Sequence, residues 1–579
     1  MRPFVNRLIS LSGICANLRN LWIILLLALA GFLRMAPVAA AETLTVPVSE
    51  ALMRALSDEM ERSMKDLVLE GLERPYFIQY AVDDSLTRSL RAKMGALVED
   101  STSRTRNLGT RVRVGSMDLD NTNVGYPIRP VPLPLDDDYD ALRQAVWLVT
   151  DAEYKVAVEI LARKKAFLQE RKIEDRPPDF SPAEPVKHLD EAVSLPFDAG
   201  AWRERVAALS ARAAAFKRLQ DADVSFWAGV STEYLVNSEG TRLRESDSGI
   251  LITVSAQVRG AEGMSLSDSA MFLGETFDEL PSMEEMFAEV DGMCQSLIAA
   301  AEAPMIEHYF GPVLFDASAA GRVFEALLAN DLDAEPVSIT GFGSDEVMEK
   351  KIGTRILPRG FKVYDDPRPS HYEGQLVAGY YNYDDEGVPA QRVNLVEEGV
   401  LKTLVSCRAP SRKVKTSNGH GRGRYGDVSP RVACLYFEDE DAVADEKLKA
   451  ELIQAARDEG LPFGLYVKAL GPPGFRSLGS PLLTYKVYVD DGQEELIRGL
   501  QFQPVEMREL RDIIASGTKR EVYNSMSGAG VQSIIAPAVI FEELELTKVA
   551  QQFDALPILK APASRPEKES DGGKEELRE

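Results

Sequence analysis

The sequence predicts an α+β protein, in which a helix-and-sheet region over residues 48–304 precedes a β-rich region over residues 305–548. Within residues 51–67, apolar side chains recur at the spacing of one face of an amphipathic helix. Valines alternate with arginines over residues 110–114, which indicates a strand with one apolar face. Later in the chain, short apolar stretches flank turns such as residues 397–399, and this pattern is typical of β-hairpins.

The other elements are predicted from the same helical spacing and strand alternation, or from a helix cap. Ser282 and Glu285 form a capping-box pattern that begins a helix ending near Ala301. Further helices are predicted over residues 140–171, 202–219, 445–458 and 504–516. Further strands are predicted over residues 76–82, 224–236, 250–258, 393–396, 401–404, 484–489 and 495–497.

The first 41 residues have the pattern of a secretory signal peptide. Three arginines precede an apolar run over residues 21–33, and three alanines at residues 39–41 provide the small residues that a signal peptidase requires. The run is shorter than the roughly 20 residues needed to span a bilayer. We therefore expect a periplasmic or secreted protein with no membrane contact beyond this signal, and an uncleaved N-terminal anchor is the alternative.

Charge and composition exclude some classes of partner. Without the four arginines of the leader, 62 basic and 91 acidic residues remain, which gives a net charge of −29. Such an acidic surface repels phosphate backbones, so we expect no nucleic-acid partner. The final segment, residues 549–579, is rich in charge, proline and glycine and is expected to be disordered.

Three cysteines follow the leader, an odd number for an oxidising compartment. At most one disulfide can form among them. Cys407 and Cys434 are the expected pair because both fall in predicted strands of one region, and Cys294 is expected to be a buried side chain on a helix.

Several passages of the second half carry a resemblance to a known family. They are a Gly-Pro-Val-Leu-Phe run at residues 311–315, which leads into a predicted helix over residues 319–330, an Asp-Asp-Glu-Gly-Val-Pro-Ala-Gln-Arg run at residues 384–392, and a late Gly-Leu-Tyr-Val-Lys run at residues 464–468. In order and spacing, this half resembles the TldD/PmbA family of predicted zinc-dependent peptidases and modulators of DNA gyrase. The N-terminal half matches weakly and carries an insertion near residues 125–220.

The resemblance implies a metal site that is degenerate in this chain. Family members that hydrolyse peptides carry His-Glu-x-x-x-His on the helix after the first of these runs, and a cysteine late in the chain completes the zinc site. Here the two histidine positions are Phe324 and Ala329, and the cysteine position falls near Ser527. Only Glu325 survives as a candidate catalytic residue, and no cofactor is expected.

Helix geometry supports this interpretation. Residues five apart point about 140° away from each other on a regular helix, so a ligand pair at that spacing needs a local bulge. The residues between Phe324 and Ala329 favour regular helix, and Phe324 belongs to an apolar stripe that includes Val323 and Leu327. Glu325 lies off that stripe, so packing is the expected role of the helix.

A basic loop is the most distinctive local feature of this acidic chain. The resemblance places it beside a peptide groove, so Asn418, Gly419, Arg422 and Arg424 are candidates for contact with a peptide carboxylate or an acidic partner. A loop whose basic residues only balance nearby acids is the alternative. The acidic run that starts at Asp384 is expected to form a hydrated turn.

The favoured function is that of an exported, non-catalytic subunit, because active TldD-type chains pair with a related subunit that lacks the zinc motif. We expect a homodimer or a heterodimer with a TldD-like chain, with a peptide as the possible substrate. One alternative is an active, zinc-dependent metallopeptidase whose ligands come from His308, His371, His420 and acidic residues, with Glu325 as base. Another is a peptide-binding scaffold of the cell envelope.

Overall fold

The computed structural model describes residues 42–336, 338–339, 347–471, 477–527 and 530–549 of the 579-residue chain. The predicted export signal lies outside the described residues, and so does the predicted tail beyond Val549. Among the described helices, none combines the length and the apolar character needed to cross a lipid bilayer.

The first half of the chain builds a mainly antiparallel sheet from long strands. Its strands are β1 (Glu42–Thr45), β2 (Pro75–Lys93), β3 (Ala96–Val114), β4 (Val131–Pro132), β5 (Lys187–Leu189), β6 (Ser194–Phe197), β7 (Asp221–Asn237), β8 (Arg242–Arg259) and β9 (Ser265–Gly274). Within the described residues, seven of these strands pair in the order β4-β3-β2-β7-β8-β5, with β9 beside β8. Strands β1 and β6 form a separate pair.

Strands β2 and β3 extend far beyond the predicted residues 76–82 and 110–114. Their distal halves pair up to a two-residue turn at Met94 and Gly95, which have φ values of 52° and 81°, with one register shift between Arg91 and Ala92. Two consecutive positive φ values define the turn that suits a twisted hairpin. The sequence pattern missed this extension because the distal half of β3 is exposed, and backbone pairing of β3 with β2 and of β2 with β7 stabilises it.

Helices cover one face of this sheet. They are α1 (Glu50–Asp66), α2 (Tyr139–Arg171), α3 (Ala199–Ala214) and α4 (Met283–Glu302). Helices α1 and α2 pack on buried residues such as Ile78 and Tyr80, and α3 and α4 pack on the other end, on residues such as Phe226 and Ile252. All four helices were predicted, and the third ends earlier than expected.

The opposite face of the sheet meets the second half of the chain. At Gly109 the two halves approach so closely that an added Cβ would lie 1.8 Å from the carbonyl oxygen of Tyr425. Arg408 is fully buried at this contact, where its guanidinium donates to the carbonyl of Ser181 at 2.9 Å and to Glu239 at 2.8 Å. The two halves are therefore held together by buried polar contacts as well as by close packing.

The second half builds a mixed sheet. Its strands are β10 (His308–Phe315), β11 (Phe361–Asp365), β12 (His371–Tyr372), β13 (Gln375–Leu376), β14 (Val393–Glu397), β15 (Val400–Leu401), β16 (Gly421–Arg422), β17 (Ser429–Pro430), β18 (Cys434–Asp439), β19 (Phe463–Leu470), β20 (Pro481–Tyr488), β21 (Glu494–Ile497), β22 (Leu500–Phe502), β23 (Ile513–Ser527) and β24 (Gly530–Lys548). Within the described residues, 11 of these strands form the sheet, whose main path runs β15-β14-β11-β18-β24-β10-β19-β20-β21 with β22 and β23 also paired with β24. Strands β12 and β13 form a separate pair, and so do β16 and β17. The α+β class predicted from the sequence is confirmed.

Three helices accompany this sheet: α5 (Ala317–Leu327), α6 (Val347–Lys351) and α7 (Asp445–Asp458). Helix α7 has the predicted bounds. Helix α5 ends three residues before the predicted residue 330 and continues as a 3₁₀ turn over Ala329–Asp331. A helix predicted over residues 504–516 is wrong, because only a 3₁₀ turn forms over Met507–Asp512 and the next residues pair with β24 as part of β23.

The expected disulfide is also wrong. Cys294, Cys407 and Cys434 are all buried and free. Cys434 packs in an apolar cluster with Val377 and Tyr381. Cys407 instead lies at a cavity against the first half of the chain, so the two thiols occupy different environments.

Candidate functional site

Helix α5 carries the positions of the expected metal motif and is closely surrounded. Its N-terminus is capped by Asp316. At Gly321 an added Cβ would lie 2.6 Å from the Cβ of Tyr523, so strand β23 packs directly on the helix. The contact requires a residue without a side chain, and it brings the side chains of β23 to the position of Glu325.

The two histidine positions of the motif are occupied by packed apolar side chains. Phe324 is fully buried and stacks on Phe437, with a distance of 3.9 Å between ring centroids. Ala329 is buried and begins the 3₁₀ turn that follows α5. The helix has therefore ended before the second position, and neither residue offers an atom that can bind a metal.

Glu325 is buried and its carboxylate is fully engaged. It accepts hydrogen bonds from the hydroxyl of Tyr523 at 3.0 Å, from the side-chain amide of Gln532 at 2.9 Å and from the hydroxyl of Ser525. The sequence pattern predicted that Glu325 lies outside the packed, apolar face of the helix. Strands β23 and β24 cover that side of α5, so the buried carboxylate needs these donors.

The three donors come from the late part of the chain, at positions that the sequence pattern did not predict. Ser527, the predicted cysteine position, is the last residue of β23 and pairs across the hairpin with Gly530. Ser525 and Tyr523 lie two and four residues earlier, and residues two apart on a strand share a face. This alternation was the available signal for finding them.

The described residues do not fit a zinc ion at this place. Zinc sites in proteins use imidazole, thiolate or carboxylate ligands. Around Glu325 the neighbouring polar groups are two hydroxyls and an amide, each donating to the carboxylate. Nowhere in the described ranges do three or more His, Cys, Asp or Glu side chains form a group that could hold a metal.

The histidines proposed as relocated ligands have other partners. His420 is fully buried, where its Nε2 lies 3.1 Å from Asp365 and its Nδ1 lies 2.9 Å from the carbonyl oxygen of Asn418. His308 is exposed and contacts Glu545 at 3.2 Å. His371 is exposed beside Ser370.

The basic loop is built around this buried histidine. The side-chain amide of Asn418 accepts from the backbone of Ser406 at 2.8 Å and donates to the carbonyl of Leu404 at 3.0 Å. At Gly419, with a φ of 75°, an added Cβ would lie 2.3 Å from the carbonyl oxygen of Pro389. These two predicted contact residues are committed to the architecture of the loop.

The two arginines of the loop face acids of this chain. Arg422 pairs with Asp385 at 2.7 Å and lies over the ring of Tyr381. Arg424 remains largely exposed and reaches Asp83 on β2 at 3.4 Å. Both acidic partners belong to this chain, as expected if the loop only balances nearby acids. Contact with a peptide carboxylate stays a prediction.

The acidic run beside the loop is buried rather than hydrated, in contrast to the expected turn. Asp384 accepts hydrogen bonds from the backbone amides of Glu386 at 3.0 Å, Val388 at 2.8 Å and Gly421 at 2.9 Å. Burial raises the pKa of Asp384 to about 7, and the nearby carboxylate of Glu386 adds to this shift. The run therefore connects its own turn to the basic loop, since Asp384 accepts backbone amides from both.

Comparison with known proteins gives the family. Residues 308–548 match the model of the PmbA/TldA metallopeptidase C-terminal domain. A metalloprotease of Methanothermobacter thermautotrophicus is 24% identical over 305 residues, which is 52% of this chain and 60% of that protein. A metalloprotease of Archaeoglobus fulgidus is 24% identical over 174 residues, 30% of this chain and 38% of that protein. The second half of this chain, residues 308–548, belongs to the TldD/PmbA family.

Solved structures show the same fold over most of the chain. TldE from Thermococcus kodakarensis has a TM-score of 0.56 and 14% identity, covering 85% of this chain and all of that one. A Thermotoga maritima protein described as a proposed modulator of a DNA gyrase has a TM-score of 0.57 and 16% identity, covering 85% of this chain and 99% of that one. Similarity at this level establishes the TldD/PmbA fold alone.

Substitution of Glu325 tests the hydrogen-bond network. In Glu325→Gln, an amide group replaces one acceptor oxygen and meets three donors, so we expect the free energy of unfolding to fall by about 1–3 kcal/mol. Urea unfolding at neutral pH measures the change. Glu542→Gln, on the exposed side of β24, is the matched control and should unfold as the wild type does.

The buried pair of His420 and Asp365 predicts a pH-dependent contribution to stability. Burial disfavours the charged imidazole, but the carboxylate of Asp365 outweighs it, and the pKa of His420 is raised. A raised pKa in the folded state stabilises it fully below the unfolded value, about 6.5, and the contribution is lost as the pH rises through the folded pKa. The difference in unfolding free energy between the wild type and His420→Gln should therefore be larger at about pH 5.5 than at about pH 8.5.

This difference is measured by urea titration at several pH values, in which the contributions of other groups cancel between the two proteins. His371→Gln, at an exposed ring, is the control and should follow the wild-type profile. A difference for His420→Gln that grows towards alkaline pH would contradict the assignment of a charged imidazole.

Proposed function

We propose that this TldD/PmbA-family protein is a non-catalytic, TldE-like subunit of a peptidase assembly. The observation that carries the proposal is the closed network around Glu325, in which Tyr523, Ser525 and Gln532 use the carboxylate that a metallopeptidase needs as a general base. Phe324 and Ala329 replace the two imidazoles of the motif. A subunit with this arrangement contributes binding surface and architecture rather than hydrolysis.

The comparisons support a peptidase-like role at a coarser level. The matching domain model and the archaeal relatives are described as metallopeptidases or metalloproteases. The matches reach only 60% and 38% of the lengths of these two relatives, so their activity is an argument for this chain and no more. The fold shared with Thermococcus kodakarensis TldE favours the subunit role among the possibilities within the family.

The proposal places this subunit outside the cytoplasm. The arginines and the apolar run of the first 41 residues, with three alanines at residues 39–41, support export through a cleavable signal. The acidic composition of the remaining chain is suited to a soluble partner protein rather than to an anionic membrane surface.

Activity of the isolated protein tests this function. We expect the purified chain to leave an unfolded polypeptide such as casein uncleaved, because none of the described groups that contact Glu325 can hold a metal that activates water. The assay is run with and without a chelator and with Glu325→Gln. Proteolysis that is abolished both by the chelator and by this substitution would establish an active metallopeptidase with relocated ligands instead.

The subunit role has its own test. When tagged protein is isolated from the native cells, mass spectrometry should identify a TldD-like chain that carries an intact His-Glu-x-x-x-His motif. A mixture of this chain with the isolated partner should cleave peptides faster than the partner alone. Isolation of this chain without any such partner would favour the scaffold alternative.

A further inference from the structure

A cavity of about 450 Å³ lies between the two halves of the chain, in the size range of small-molecule sites. One side is formed by strand β3, the loop of residues 121–127 and helix α2. The other side is formed by short segments of the second half, including residues 427–430. No residue of α5, β23 or β24 lines it, so the cavity is separate from the network around Glu325.

Arg111 provides positive charge on the strand side of the cavity. Its side chain is 17% exposed and pairs with Asp427 at 3.0 Å, whose own side chain is 45% exposed. Burial lowers the pKa of Arg111, and the neighbouring guanidinium of Arg113 adds to this effect. The contact with Asp427 uses only one terminal nitrogen of Arg111, and the guanidinium fork suits a further carboxylate well.

Glu153 provides negative charge on the helix side of the cavity. It makes no hydrogen bond or ion pair at contact distance with another described residue, and it lies among side chains of α2 that line the same space. Burial raises its pKa, while Arg111 and Arg129 act in the opposite direction. Because a half-buried carboxylate without a direct partner is costly, it favours the binding of a cationic group.

Apolar side chains form much of the remaining wall. Val124 comes from the loop, Val156 and Ile160 come from α2, and Val428 comes from the second half of the chain. Their positions around the two charged groups favour a ligand with an aliphatic body. Polar side chains such as Thr122, Asn123 and Ser429 complete the wall, so it suits a ligand with both polar and aliphatic parts.

We propose that this cavity binds a short zwitterionic ligand, an aliphatic amino acid or dipeptide, with its α-carboxylate on Arg111 and its α-ammonium facing Glu153. The opposite charges on the strand and on the helix match the two termini of such a ligand. The site would retain short peptides whether or not the protein takes part in their hydrolysis. It does not rest on the proposed subunit role.

Calorimetric titration of the purified protein with L-alanyl-L-leucine tests this site. We expect binding that weakens by at least about tenfold when the probe is N-acetylated, and likewise when its carboxylate is converted to the amide, because each cap removes one charge-assisted contact. Equal affinity for free and capped probes, or the absence of binding at millimolar concentration, would overturn the proposal.

Two substitutions assign the contacts. Arg111→Gln should remove the preference for the free carboxylate over the amide, and Glu153→Gln should remove the preference for the free amine over the acetylated probe. Arg163→Gln and Glu159→Gln, an exposed pair on α2 outside the cavity, are the matched controls and should bind as the wild type does. Cavity variants that keep both preferences would contradict the assignment, and circular dichroism establishes that each variant is folded.

Discussion

The carboxylate of Glu325 and its three hydrogen-bond donors determine how the second half of this protein is assembled. A buried carboxylate needs partners, and these donors come from β24, the central strand of the large sheet, and from β23, which pairs with it. The close approach of α5 to β23 at Gly321 makes these contacts possible. Among the described residues, this arrangement leaves no imidazole or thiolate beside the carboxylate, so the hydrogen-bond network takes the place of a zinc site.

The acidic run at Asp384 shows how a motif-like run of charges can stabilise the fold. Its carboxylates accept backbone amides from the basic loop, and Glu386 accepts the backbone amide of Arg408 at 2.6 Å. Arg408 in turn binds Ser181 and Glu239 of the first half. Removal of one partner from such a buried network leaves another charge uncompensated, so the run fixes the orientation of the two halves.

The sequence was sufficient for elements with a clear apolar period. Helix α7 and the capping box at Ser282 have their predicted positions, because each depends on local spacing and local hydrogen bonds. The distal halves of β2 and β3 were missed, since backbone pairing of β2 with β7 and of β3 with β2 stabilises them and the distal half of β3 is exposed. The helix predicted over residues 504–516 was wrong for a related reason. Its second half pairs with β24, and local spacing does not reveal a pairing with a later part of the chain.

The candidate site divides in the same way. The sequence located Phe324, Glu325 and Ala329, because a motif is a local pattern. It did not locate Tyr523, Ser525 or Gln532, which lie about 200 residues further along the chain and meet Glu325 only through the fold. Burial of the acidic run at Asp384 was likewise hidden, because polar residues in a turn are ordinarily solvated and only the tertiary contacts of this chain enclose them.

At the positions of the zinc motif, helix α5 presents packed apolar side chains and a hydrogen-bonded carboxylate. Elemental analysis of the purified protein, after dialysis against a metal-free buffer, decides whether this helix holds a metal. We expect zinc far below one ion per chain, with no increase after incubation with zinc and renewed dialysis. One ion per chain that survives dialysis and is lost in Glu325→Gln would contradict it.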